Sequence, residues 1–250
     1  MALAIDRRLS RAGAATVAVA VNVAVFVLLR IVAALGGDGV LRWIEMPSTP
    51  GLLLTRPWTV ATYMVSQYDF FHLAVNMIWL WCFGRFLADI MSARQWWKFY
   101  IAGGLGGAAV FAAACALIPS LPPVTHWLIG SSASVIAIVA ATALLMPHLE
   151  VQLFMIGPLQ LRWVAWITIA LDLTGLFGAH PGAHFAHLGG LIAGVAYALY
   201  LRRKPGERHD DTDDRARLDV LLDKVRRSGL GSLSMDERRE LMRLSERLRP

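Results

Sequence analysis

Six stretches of this 250-residue chain, roughly 13–35, 70–91, 96–117, 128–146, 161–179 and 184–201, are apolar over close to the length a helix needs to cross a bilayer, about 20 residues. No other feature limits the fold as much. In hydrocarbon, every backbone N–H and C=O must be satisfied within its own segment or around a closed barrel, and long apolar runs do so as helices. Composition agrees: 56% of residues are hydrophobic, 17% are charged and the mean hydropathy is +0.52, which excludes an ordinary soluble domain of this length. The expected fold is all-α, a polytopic membrane protein with a bundle of six transmembrane helices and the lipid bilayer as its surroundings.

The formal net charge of +6 does not point to nucleic acid. The arginines flank apolar runs and form no basic face interleaved with exposed aromatics, so they read as topology signals and no nucleic-acid partner is expected. Arg7, Arg8 and Arg11 precede a run that exceeds the ~7 to 15 apolar residues of a cleavable signal, which predicts a retained anchor. Arg85, Arg94, Lys98 and Arg162 lie in turns on the same side as the Arg202, Arg203, Lys204 cluster, whereas 118–127 and 180–183 carry no Lys or Arg. Both termini are therefore expected on the cytoplasmic side. The longest loop, 36–69, mixes Trp43, Ile44, Leu52 and Trp58 with proline and charge and suits the membrane interface. Cys82 and Cys115 both fall inside apolar runs and make no disulfide framework.

Past Arg202 the composition turns hydrophilic. The organisation expected is a membrane domain over 1–201, a solvated linker over 202–214 and a cytosolic helical hairpin over 215–250. In the hairpin, Leu218, Leu221, Leu222 and Val225 recur at helical spacing, and Ser234 with Glu237 makes an S-x-x-E capping box before Leu241, Leu244 and Leu248. Nothing in it is catalytic in type; it offers a surface for a cytosolic partner.

Under this topology the second, fourth and sixth spans begin at one depth near the outer leaflet, and their first turns hold the polar residues. These are His72 and Asn76, then Ser131, Ser132 and Ser134, then His184 and His187. A serine hydroxyl becomes a nucleophile when a neutral imidazole within hydrogen-bond reach takes its proton, and the same imidazole can protonate a leaving amine. Acyl transfer also needs donors for the developing oxyanion. Residues 72 and 76 are four apart on one helix face, and the N-terminus of the fourth span adds backbone N–H groups and a positive dipole end. Gly190 and Gly194, at G-x-x-x-G spacing beside Gly189, allow the sixth span a close helix contact. Each residue also has a structural reading: small serines pack helices, Asn76 can bond across helices, His184 can be a solvated boundary residue, and His126 and His180 fall in outer loops. A zinc site of His72, His184 and His187 lacks an H-x-x-x-H or H-E-x-x-H pairing on one helix face.

These residues resemble the rhomboid intramembrane serine proteases. The resemblance covers about residues 15 to 201 and is carried by "RPWTVATYMVSQYDFFHLAVNMIWLWCFGR" with its H-x-x-x-N, by "GSSA" as a variant of G-x-S-G, and by "HFAHLGGLIAG". It implies Ser132 as nucleophile, His187 as base, and His72 and Asn76 as oxyanion donors beside backbone N–H groups near Gly130 and Ser132. It implies a Ser-His dyad without an acid, leaving Asp172 a structural or gating residue, and it calls for no cofactor and no metal. The substrates implied are transmembrane proteins cut near the outer leaflet, in a bacterial inner membrane.

The chain departs from the pattern at Ala133, where glycine usually follows the serine. It departs again at Ile136, where several members carry a tyrosine that packs on the histidine, and at Thr59, where Trp58 is usually followed by arginine. Two other classes compete. A catalytically inactive relative that only holds client helices would usually lack Ser132 or His187, and a small transporter should show inverted repeats and broken helices at mid-membrane.

Overall fold

The structure is a computed structural model and describes residues 2–67, 69–118, 121, 127–153, 157–178, 181–203 and 211–247. His126 and His180 lie outside the described residues. The chain divides into two compact units, Met1–Leu199 and Tyr200–Pro250.

The first unit is helical. Its helices are α1 (Ala2–Ala34), α2 (Phe70–Ile90), α3 (Ala93–Leu117), α4 (Ser132–Leu145), α5 (Leu161–Gly175) and α6 (Pro181–Arg203). One helix stands at each apolar stretch. Among the described residues, four segments are long and apolar enough to cross a membrane: Gly13–Ala34, Phe70–Ile90, Ala93–Leu117 and Pro181–Arg203. Helices α4 and α5 have 14 and 15 residues. At 1.5 Å per residue they span only about 21 and 22 Å, short of a ~30 Å hydrocarbon core. The protein is thus an all-α polytopic membrane protein, and the expected count of six crossings exceeds what helix length alone supports.

Local signals set the helix boundaries. Asp69 caps α2 by accepting the His72 backbone N–H at 2.8 Å. Ser92 and Gln95 make a reciprocal capping box for α3. The fourth helix starts later than its apolar stretch suggests. Trp127–Leu128 pair as an extended segment with Met46–Pro47 of the first loop, and Gly130 takes φ +124°, which no helix accommodates. The stretch between α4 and α5, read as loop, forms a short antiparallel hairpin of Glu150–Leu153 with Gly157–Gln160.

Helix α4 is at the centre. Ten of its residues are buried, consistent with a helix that is apolar on every side. Glycines let its neighbours reach backbone contact. A methyl on Gly190 would overlap the Ala133 backbone, and one on Gly194 would overlap that of Ala137, so both glycines seat α6 on α4. Gly189 meets Gly106 and Gly107, which seats α6 on α3. The first loop folds through short helical turns at Pro50–Thr55 and Thr59–Thr62. Trp58 stacks on Trp43 with centroids 6.1 Å apart, Arg56 covers Trp43 at 4.2 Å, and the Trp58 Nε1–H donates to the Trp43 carbonyl.

The second unit contains α7 (Asp211–Ser228) and α8 (Met235–Arg247), joined through Gly229 at φ +74°. Leu221, Leu233 and Leu244 form its core with Leu218, Val225 and Leu241 against them, while Leu222 faces outward. Ser234 and Glu237 cap α8 reciprocally, at 2.8 and 3.1 Å, and Lys224 also bonds Glu237.

Candidate active site

The three serines at the mouth of α4 have three different fates. Ser131 Oγ is buried and accepts from Gln67 Nε2 at 2.8 Å. Ser134 is buried at the α3 contact, where its Cα faces Gly103, and its hydroxyl has no hydrogen-bond partner. Ser132 is half-buried, and its Oγ lies 2.7 Å from His187 Nε2 across 55 residues of sequence.

His187 is held at its other nitrogen. Its Nδ1 lies 2.7 Å from Asp172 Oδ1, and the same oxygen lies 2.9 Å from Nδ1 of His184. The two imidazoles meet edge to face at 5.6 Å. His184, expected as a solvated boundary residue, is therefore bonded to the α5 carboxylate, with its ring in the notch left by Gly175. Asp172 itself is only 7% exposed.

On the other side of Ser132 stands His72. A Cβ at Gly130 would be 2.7 Å from His72 Cε1 and 3.7 Å from Ser132 Oγ, so the missing side chain is what admits the imidazole. Gly130 was expected to donate its N–H to the oxyanion. Instead that N–H goes to the Tyr63 carbonyl at 3.1 Å. The donors on offer at this end are the first-turn N–H groups of α4, which have no intrahelical acceptor. Asn76 is buried, lines the same cavity as Ser132 and His187, and donates from Nδ2 to Gln67 Oε1 at 3.0 Å. That bond uses one of its two amide protons.

Gln67 connects this set to α1. Its Nε2 also donates to Asn22 Oδ1 at 2.9 Å; Asn22 donates to the Tyr100 hydroxyl, which donates to the Met64 carbonyl at 2.7 Å. Neither Gln67 nor Asn22 was singled out from sequence. Asn22 carried a signal, an amide inside an apolar run; Gln67, in a loop, carried none.

A cavity of about 380 Å³ opens beside the pair, walled by Val75 and Trp79 of α2, Val139 of α4, and Ile167 and Leu171 of α5. Its apolar walls and few polar groups suit a chain segment with an apolar side chain. The methyl of Ala133 does not intrude here: it faces Gly107 of α3. Ile136, also on the cavity wall, gives His187 no aromatic or polar support.

Among the described residues, Asp172, His184 and His187 each offer one ligand atom within 4.8 Å of the others. This differs from the set considered from sequence, since Asp172 replaces His72. Separations of 2.7 and 2.9 Å to one oxygen are hydrogen-bond lengths. Ligands at ~2.0 to 2.1 Å around tetrahedral zinc stand farther apart, so the arrangement fits shared protons better than an ion.

Fold and site together define a polytopic helical membrane protein that holds a serine hydroxyl against an imidazole at the start of its most buried helix. The model of the rhomboid domain family matches residues 54–204, and the chain belongs to the rhomboid family. It is 30% identical over 142 residues to Rhomboid protein 1, mitochondrial, of Saccharomyces cerevisiae, covering 55% of this chain and 40% of that protein. It is 29% identical to Presenilin-associated rhomboid-like protein A, mitochondrial, of Danio rerio, over 54% of this chain and 35% of that one. With Presenilin-associated rhomboid-like protein, mitochondrial, of Homo sapiens it shares 27% identity over 73% of this chain and 46% of the relative. The chain thus spans less than half the length of these relatives. Their mitochondrial designations lend no support to the bacterial inner membrane expected from the sequence.

Proposed function

We propose that the protein is an intramembrane serine endopeptidase that cleaves transmembrane protein substrates with Ser132 as nucleophile and His187 as general base. The observation that carries this reading is the 2.7 Å contact between Ser132 Oγ and His187 Nε2, beside a cavity large enough for a substrate segment. Attack of Oγ on the scissile carbonyl forms the Oγ–C bond as the hydroxyl proton passes to Nε2. Collapse breaks the C–N bond, and the imidazolium returns that proton to the leaving amine. Water then attacks the acyl ester by the same route. The oxyanion is received by the second amide proton of Asn76, by His72 and by the first-turn N–H groups of α4, where the helix dipole adds positive potential.

The Lys and Arg distribution supports termini on the cytoplasmic side and Ser132 toward the opposite leaflet. The test is cleavage of a model transmembrane substrate in proteoliposomes, together with labelling by a fluorophosphonate. Wild type should cleave and label, and Ser132→Ala and His187→Ala should do neither. Full turnover by Ser132→Ala would remove the mechanism, and silence of a folded wild type would favour a non-catalytic binder of membrane helices.

A further inference from the structure

We propose that Asp172 is the positioning residue of His187, fixing its tautomer and ring orientation so that the site operates as a Ser132–His187–Asp172 triad, with His184 tethering the carboxylate. The inference rests on the Ser132–His187 reading and goes beyond the dyad.

A neutral imidazole carries one proton, and only the form with the proton on Nδ1 presents a lone pair at Nε2. An ionised carboxylate only accepts. Asp172 Oδ1, 2.7 Å from His187 Nδ1, therefore keeps the proton on Nδ1 and turns the basic nitrogen toward Ser132 Oγ. The opposite tautomer would place an N–H against the serine and block proton transfer. Val135, Ile136 and Leu171, which line the same cavity, are aliphatic and cannot choose between the two forms. His72, across Ser132, faces Gly130 and is not the group at Nδ1.

The carboxylate is built in. Asp172 is buried while its neighbours Leu171 and Leu173 are exposed, so α5 turns its one acidic residue inward. A carboxylate in an apolar helix needs partners, and two N–H donors from α6 reach it. The fit comes from two helical (i, i+3) pairs that interlock. His184 and His187 share a face of α6, and Asp172 and Gly175 share a face of α5. A methyl on Gly175 would overlap the His184 ring, so the glycine makes the space through which His184 reaches the oxygen. During turnover the serine proton moves to Nε2 and on to the leaving nitrogen. The Nδ1 proton stays, Asp172 remains ionised, and its charge stabilises the transient imidazolium.

The experiment uses the full chain in detergent and in proteoliposomes. Asp172→Asn keeps the shape, but its amide can donate to Nδ1 and favour the wrong tautomer. In the Ser-His-Asp template this change costs on the order of 10⁴ in kcat, and here Asp172→Asn should lower kcat by a large factor of that kind with KM close to wild type. Asp172→Glu should recover part of the loss. Independently, 15N NMR of histidine-labelled protein in the Ser132→Ala background should place the His187 proton on Nδ1 and show it moving to Nε2 in Asp172→Asn. A His187 Nε2–H tautomer with Asp172 present, or a folded Asp172→Asn protein with kcat near wild type, overturns the proposal. Should Asp172→Asn fail to fold, the tautomer with Asp172 present decides alone. If wild type is inactive, the peptidase reading falls, and the NMR measurement still decides whether Asp172 holds His187.

Discussion

The methyl of Ala133 and the bare Cα of Gly107 face each other across the contact of α4 with α3, so that a methyl on Gly107 would come within 2.6 Å of it. The alanine after Ser132 is thus accommodated by a glycine on another helix, and the serine's own side remains open. Overpacking of such a contact costs about 1 to 3 kcal/mol. Gly107→Ala should lower the thermal midpoint in detergent and reduce peptidase activity together. Ala133→Gly in that background should restore only part of both, since the Ala186 carbonyl would still crowd the new methyl at 2.9 Å.

The neighbouring serines should separate by role. Ser134→Ala removes a buried hydroxyl that has no partner and should be neutral or slightly stabilising in a melt. Ser131→Ala leaves Gln67 short of an acceptor. It should cost about 1 to 3 kcal/mol of stability, as an unsatisfied buried polar group does. Both variants should retain cleavage and fluorophosphonate labelling at Ser132.

In the proposed reaction Asn76 donates to the oxyanion with one amide proton while the other holds Gln67. Removing one oxyanion donor typically lowers kcat about 100- to 1000-fold. Asn76→Ala should fall in or below that range, because His72 and the backbone donors remain. A change confined to KM would assign Asn76 to the buried polar network alone.

Outside the helices, burial pushes the Glu45 carboxyl above its usual range, with the Arg42 guanidinium at 3.4 Å pulling it back. A carboxyl raised on folding stabilises the fold in its protonated form. That contribution is present below the unfolded value of about 4.3 and is lost as pH rises through the folded one. Glu45→Gln should therefore gain thermal midpoint relative to wild type as pH climbs from about 4.3 upward. Equal midpoints for the two proteins across that window would show that the burial carries no such cost.

The tail should be dispensable for chemistry. Residues 200–250 form a unit with its own core at Leu221, Leu233 and Leu244. Truncation after Arg203 should preserve hydrolysis of a detergent-solubilised substrate and change only expression, partner binding or client choice. Loss of Ser132 labelling in a folded truncated protein would contradict this.

Hydropathy alone located a helix at each of the six apolar stretches, because burial in hydrocarbon leaves the backbone little other choice. The same periodicity put His72 and Asn76 on one helix face, since residues four apart share one, while the choice of Ser132 and His187 followed from the resemblance to the rhomboid proteases. Other features needed the tertiary structure: the extended segment ahead of Ser132, the diversion of the Gly130 N–H to Tyr63, the Gln67–Asn22 network, and the meeting of Asp172 with His184 and His187. Between helices in lipid there is little hydrophobic preference for one rotation over another. Which polar face meets which is set by close packing at Gly107, Gly175, Gly190 and Gly194, and a periodic pattern along one chain does not contain that information.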